Sequence, residues 1–287
     1  MTIAPTPITT LLSGARPTIS FEFFPPKDEL GFETLRTTFA LLKKFNPDFV
    51  SVTYGAMGSN QESSLAVVQE LASQVPTIAH LTCIGATKST IGSLLESYRG
   101  ANVAGILALR GDAPKEFLGD PLGDFNTAND LVELVRDSEF EIGVAAFPEK
   151  HPESPSLAHD IDVLMIKQAS GAKFAMTQLF FEIEAYFELV SAARKSGITF
   201  PIVPGLMPIA NARQVLRMAE MSGAKVPKHL VDQLNSAPDD DSARAIGMQF
   251  SADLAKALLE GGAPGIHIFT LNQHKATSDL LVAAGLA

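Results

Sequence analysis

The chain has 287 residues, 46% of them hydrophobic, with 21 glycines and 18 prolines, the composition of a globular protein large enough for one α/β domain. The single cysteine, Cys83, excludes a disulfide framework and a cysteine-rich metal cluster, and it fits a reducing compartment. A net charge of −10 argues against nucleic-acid binding, and no apolar run reaches the about 18 residues of a membrane span. Residues 1–16 carry no secretory pattern, so the expectation is a cytoplasmic protein acting on a small molecule.

Residues 1–16 read as a tail with a short helix. The first strand, 18–23, runs into Ser20-Phe21-Glu22-Phe23-Phe24-Pro25-Pro26. Alternation places Phe21 and Phe23 on one face and Ser20 and Glu22 on the other. A carboxyl among three phenylalanines is expected in an apolar niche, which favours the protonated form that a general acid needs. The competing reading is an edge-strand glutamate whose head reaches water.

Further strands are expected at 49–53, 77–82, 105–109, 141–146, 174–178, 202–204 and 265–270. Amphipathic helical patterns fall at 33–44, 64–74, 89–99, 129–137, 156–168, 183–195, 212–221 and 242–260. Asp239-Asp240-Asp241 reads as a cap for the last of these and Gly261-Gly262 as its stop. Strand–helix alternation implies parallel strands with right-handed crossovers, and eight units of about 36 residues match a single-domain (β/α)8 TIM barrel over 17–287. An open doubly wound sheet would carry a glycine-rich nucleotide loop after its first strand, and Phe-Phe-Pro-Pro stands there instead.

In such a barrel, function lies at the carboxyl ends of the strands. Those ends bring Glu22, Thr53-Tyr54, His80, Arg110-Gly111-Asp112, His151, Gln178 and Asn272-Gln273 to one rim. Plainer readings stand beside each: Arg110 and Asp112 as a local ion pair, His80 as a core histidine, Gln178 as a partner for a backbone group. No spacing of histidines and carboxylates matches a metal site. No lysine at a strand end suggests a Schiff base.

Eight segments resemble the methylenetetrahydrofolate reductase family in order and spacing: 20–26 (SFEFFPP), 49–56 (FVSVTYGA), 80–84 (HLTCI), 108–112 (ALRGD), 144–153 (VAAFPEKHPE), 177–181 (TQLFF), 204–208 (PGLMP) and 270–272 (TLN). The resemblance is to the short bacterial form, a catalytic barrel alone. It implies reduction of 5,10-methylenetetrahydrofolate to 5-methyltetrahydrofolate by NADH or NADPH, usually through FAD. By the same resemblance Glu22 is the general acid at N10 and Asp112 the carboxylate beside pterin and flavin. Gln178, Gln214 and Gln273 fall on substrate positions. Thr53, Tyr54, Ala56, His80, Arg110, Gly111, Asp112, Ala128, Phe147, His151, Asp160, Lys167 and Gln178 fall on flavin positions.

Departures accompany the matches. Phe147 replaces a tyrosine, Val163 a polar residue and Ile166 a basic one, all where FAD is held; Met218 replaces an aromatic and Gln273 an arginine near the substrate. Two readings follow: FAD binds through the remaining contacts, or hydride passes directly from the nicotinamide to the folate. The alternatives in function are a flavin-dependent barrel oxidoreductase of another substrate, similar to proline dehydrogenase, and a non-catalytic folate-binding paralogue. A mean hydropathy of +0.17 is compatible with a homo-oligomer.

Overall fold

A computed structural model describes residues 5–54, 61–112 and 123–287. Alternation in β1 (Thr18–Phe23) sets the plan of the molecule. Phe21 and Phe23 are buried in the layer between strands and helices, where Phe23 meets Phe39 edge to face at 5.8 Å. Phe39 belongs to α2 (Glu29–Leu42), whose Asp28 cap accepts the Gly31 N–H. Ser20 and Glu22 therefore face the barrel interior.

The remaining strands are β2 (Phe49–Val52), β3 (Thr77–Thr82), β4 (Gly105–Leu109), β5 (Glu141–Ala146), β6 (Phe174–Thr177), β7 (Ile202–Val203), β8 (Gly205–Leu206) and β9 (Gly265–Phe269). All pair parallel, in the order β7-β6-β5-β4-β3-β2-β1-β9-β8. The expected (β/α)8 barrel is the fold observed. Three strands end one residue earlier than expected, yet the next N–H stays in the ladder: Thr53 to Phe23 O, Gln178 to Ala146 O and Thr270 to Glu22 O.

The ninth strand arises at Pro204, which lacks an N–H: the strand expected at 202–204 ends at Val203, and a further segment, Gly205–Leu206, resumes beyond the expected end. β7 pairs with β6 and β8 with β9, so the interrupted strand closes the barrel. The Pro204 carbonyl accepts the His267 N–H at 2.9 Å, and Gly205 N–H finds the Thr177 hydroxyl at 2.9 Å. A Cβ at Gly205 would stand 2.6 Å from Thr177 O and 2.6 Å from the Phe269 ring, which is why glycine occupies the seam.

α1 (Ile8–Leu12) plugs the amino end of the barrel. Ile8 and Leu12 pack with the inward residues Phe49, Ile78, Leu107 and Phe174, and Thr9 N–H donates to Glu141 at 2.8 Å. α3 (Gln61–Ala72), α4 (Lys88–Gly100), α5 (Ala128–Val135), α6 (Leu157–Ser170) and α7 (Ile183–Lys195) follow β2 to β6 in turn. At the opposite rim α8 (Ala212–Ser222) takes an unusual course. Ala212, Val215 and Ala219 pack on Leu179, Phe181, Met207 and Ile209, while Lys225 N–H beyond its end bonds Glu149 in the loop after β5. The helix thus crosses the rim instead of lying on the barrel's flank. α9 (Lys228–Asn235) and α11 (His274–Ala283) are helices that the sequence pattern did not lead us to expect. α10 (Asp240–Glu260) begins as expected, with Asp239 accepting the Ser242 N–H.

Candidate active site

Glu22 does not sit among phenylalanines. Phe21 and Phe23 point away from it, and its inward neighbours include two histidines as well as Phe269, its register partner on β9. The Glu22 Oε2 lies 3.5 Å from His80 Nε2 on β3 and 3.5 Å from His267 Nε2 on β9. Its side chain is 9% exposed, so the edge-strand reading is also set aside. Alternation brings these three residues together, since Glu22, His80 and His267 each take an inward position on neighbouring parts of the barrel.

His267 is buried and held at both ring nitrogens: Ser20 Oγ lies 2.8 Å from Nδ1 and Ser51 Oγ 3.1 Å from Nε2. Phe49 stacks on its ring at 6.1 Å. The histidine was not among the expected site residues, although a lone polar residue flanked by Ile266 and Ile268 in a strand is a legible signal. His80 is buried with far fewer partners. Burial lowers its pKa; the Glu22 carboxylate opposes that shift and His267 adds to it. His80 Nε2 and Thr82 Oγ1, next along β3 toward the rim, are buried without a hydrogen-bond partner. Two orphaned polar atoms in line above Glu22 are what a bound polar ligand would satisfy. Among the described residues, no cluster of His, Cys, Asp and Glu is placed to hold a metal ion.

β9 holds the end of β1. Thr270 Oγ1 donates to Glu22 O at 2.6 Å, while Asn272 accepts from Phe24 N at 3.0 Å and donates to Phe24 O at 2.8 Å. Leu271 and Asn272 both adopt left-handed backbone to make this clasp. Gln273, expected at the substrate, is exposed at the start of α11. Gln178 accepts the N–H of its own neighbour Leu179 at 2.7 Å. Gln214 accepts the Ala210 N–H at 2.7 Å and donates to Pro208 O at 3.3 Å. Thr53 and Tyr54 lie at the end of β2, where burial raises the Tyr54 pKa; Ala56 lies outside the described residues.

The local pair expected between Arg110 and Asp112 is long, 3.8 Å, and Asp112 is 96% exposed. Arg110 instead binds Glu153 at 2.7 Å. The expected flavin positions Ala128, Phe147, His151, Asp160 and Lys167 gather with Arg110 around a cavity of about 440 Å³. Val163 and Ile166 also line it. The ring of Phe147 meets that of His151 at 4.6 Å; His151 N–H donates to Asp160 at 2.7 Å, and its Nδ1 accepts the Glu153 N–H at 3.1 Å. Lys167 has its pKa brought down to about 8 by burial, against the pull of Asp160. Asn129 Oδ1, also at this cavity, is buried without a partner. Cys83 lies beneath, buried, its thiol pushed up to about 11 by burial first and by Asp130 second.

Fold and site together define a parallel α/β barrel with a carboxylate–histidine centre at the carboxyl ends of its strands. The methylenetetrahydrofolate reductase family profile matches residues 8–285, and the chain belongs to that family. It is 36% identical to the 5,10-methylenetetrahydrofolate reductase of Buchnera aphidicola over 93% of this chain and 91% of that one. Against the Escherichia coli enzyme of the same name the identity is 34%, covering 89% and 86%. Against Arabidopsis thaliana methylenetetrahydrofolate reductase (NADH) 1 it is 36%, over 93% of this chain and 48% of the plant protein. In fold, a Clostridium thermocellum protein that binds two copies of 5-methyl-5,6,7,8-tetrahydrofolic acid superposes with a TM-score of 0.68, 18% identity and 96% coverage of each chain.

Proposed function

We propose that this protein reduces 5,10-methylenetetrahydrofolate to 5-methyltetrahydrofolate by direct hydride transfer from NADH. The observation that carries the reaction is Glu22, buried at the rim between two histidines with unsatisfied polar atoms above it. Glu22 delivers a proton to N10; the bond from N10 to the methylene carbon breaks with its electron pair on N10, leaving the N5-iminium cation. Hydride from the nicotinamide then adds to the methylene carbon, giving the N5-methyl group and NAD+. Burial keeps His80 neutral, so it sets no fixed cation against Glu22. His267, held by two serines, fixes the carboxyl's direction. Asp112 offers negative charge at the rim for the iminium. The name of the Arabidopsis relative supports NADH as the donor.

The cavity beside β5 does not fit the pyrophosphate of FAD. Glu153 and Asp160 bring negative charge to its wall, Val163 and Ile166 are apolar, and Glu153 already engages Arg110. The Lys167 ammonium is weakened by burial. The orphaned Asn129 Oδ1 is an acceptor and calls for a donor, which phosphate is not. A charged hydrogen bond to phosphate is worth about 1.5–3 kcal/mol, so loss of the one basic residue that Ile166 replaces costs about 10–100-fold in affinity.

Purified protein should show no flavin absorption, and stopped-flow oxidation of NADH by methylenetetrahydrofolate should proceed at the same rate with and without added FAD. A stoichiometric yellow chromophore, or turnover that requires FAD, refutes direct transfer.

A further inference from the structure

Ser51 is buried on β2, and its hydroxyl has His267 Nε2 as its hydrogen-bond partner among the described residues, at 3.1 Å. A hydroxyl carries one proton, and a buried donor without an acceptor is costly, so that proton points at Nε2. Nε2 therefore presents a lone pair, and the ring proton of neutral His267 stands on Nδ1. The other side of the ring agrees. Nδ1 lies 2.8 Å from Ser20 Oγ, and Ser20 Oγ donates its own proton to Ile266 O at 3.1 Å. Ser20 accepts from Nδ1–H and donates onward, so every proton in the chain finds an acceptor. The opposite tautomer would strand the Ser51 proton.

The barrel holds this arrangement rigidly. Ser20 and His267 are register partners across β1 and β9, as Glu22 and Ser51 are across β1 and β2. Phe49 lies parallel to the imidazole and Phe269 meets it edge to face at 5.8 Å, which blocks rotation of the ring. The ionisable groups turned toward Glu22 Oε2 are His80 Nε2 from β3 and His267 Nε2 from β9, while β2 contributes the neutral Ser51. His80 Nε2 makes no hydrogen bond in the free protein, so it does not hold a carboxylate there. His267 turns a lone pair to the same oxygen, which repels an ionised carboxylate and suits a carboxylic O–H.

We infer that His267 is a positioning residue that keeps the proton on Glu22, because Ser20 and Ser51 fix its ring as an acceptor toward that carboxyl. The inference rests on the reductase reading above and adds how the acid is loaded. The proton that passes from Glu22 to N10 leaves a carboxylate facing the lone pair. That carboxylate regains a proton from solvent before the next turnover.

Two measurements test this. In the whole protein labelled with 15N-histidine, NMR separates bare from protonated ring nitrogens, and the signals that move in Ser51→Ala belong to His267. Expected at pH 7 is a bare Nε2 with a protonated Nδ1. A proton on Nε2 overturns the inference, with no turnover needed. The second measurement follows kcat for methylenetetrahydrofolate from pH 6 to pH 9. Ser51→Ala removes the donor that keeps Nε2 bare, so an Nε2–H can stabilise the Glu22 carboxylate. Its loss of kcat should grow with pH and reach about tenfold at pH 8, moving the alkaline limb down by about one pH unit. Ser51→Thr keeps the hydroxyl and should restore the shape of the wild-type profile. A loss by one constant factor at every pH would make the serine a merely structural part and overturn the inference. If the wild type does not oxidise NADH with methylenetetrahydrofolate, the reductase reading falls, and the ring-nitrogen spectrum still decides which nitrogen faces Glu22 bare.

Discussion

Glu22 and Lys167 are both ionisable groups inside the protein, and their surroundings differ. Glu22 faces imidazoles at 3.5 Å, too long for a strong hydrogen bond in the free protein and short enough to close on a ligand. Glu22→Gln keeps the shape and removes the proton. Its kcat for methylenetetrahydrofolate should fall by about 10²–10⁴-fold, with NADH affinity by fluorescence titration unchanged. Activity within twofold of wild type would remove Glu22 from the proton path. Lys167 has a pKa near 8 in the folded chain, below the ordinary value of 10.5. Between pH 8 and 10.5 the unfolded chain therefore binds the extra proton, so stability from this group rises as pH climbs through that window and is lowest below pH 8. Lys167→Met should unfold at higher urea than wild type at pH 7, with the difference closing toward pH 10.5. A difference that stays constant with pH would show that the lysine's charge is not what burial penalises.

The elements place these residues through clasps between neighbouring strand ends. Asn272, in left-handed backbone, bonds both the N–H and the carbonyl of Phe24, two residues beyond Glu22. Asn272→Gly preserves that backbone and deletes both bonds. It should cost about 1–3 kcal/mol in urea unfolding, with a further loss in kcat because the turn after Glu22 loosens. A variant as stable and as active as wild type would show that the clasp holds nothing in place. Strand periodicity alone makes the inward position of Glu22 readable. It does not reveal that α8 crosses the rim, because that course depends on Leu179, Phe181 and Met207, distant in sequence, meeting Val215 and Ala219. α9 is hidden for a related reason: in eight residues it buries only Leu230 and Leu234, too little to make a period visible.

The whole molecule separates stability from chemistry along the barrel axis. α1 closes the amino end with Ile8 fully buried, and Glu22 works at the other end. Ile8→Ala should cost about 2–4 kcal/mol of stability through the cavity it leaves, while kcat at 25 °C stays that of wild type. A large fall in kcat with stability intact would mean that the two ends are coupled. Among the described residues no helix is long and apolar enough to cross a membrane. What the linear sequence determined was local: strand periods, caps such as Asp239, and the rim to which Glu22, His80 and Gln178 belong. The tertiary structure decided what those residues face. Inward neighbours come from strands up to about 250 positions apart, so only closure of the barrel could replace phenylalanines with His80 and His267 beside Glu22.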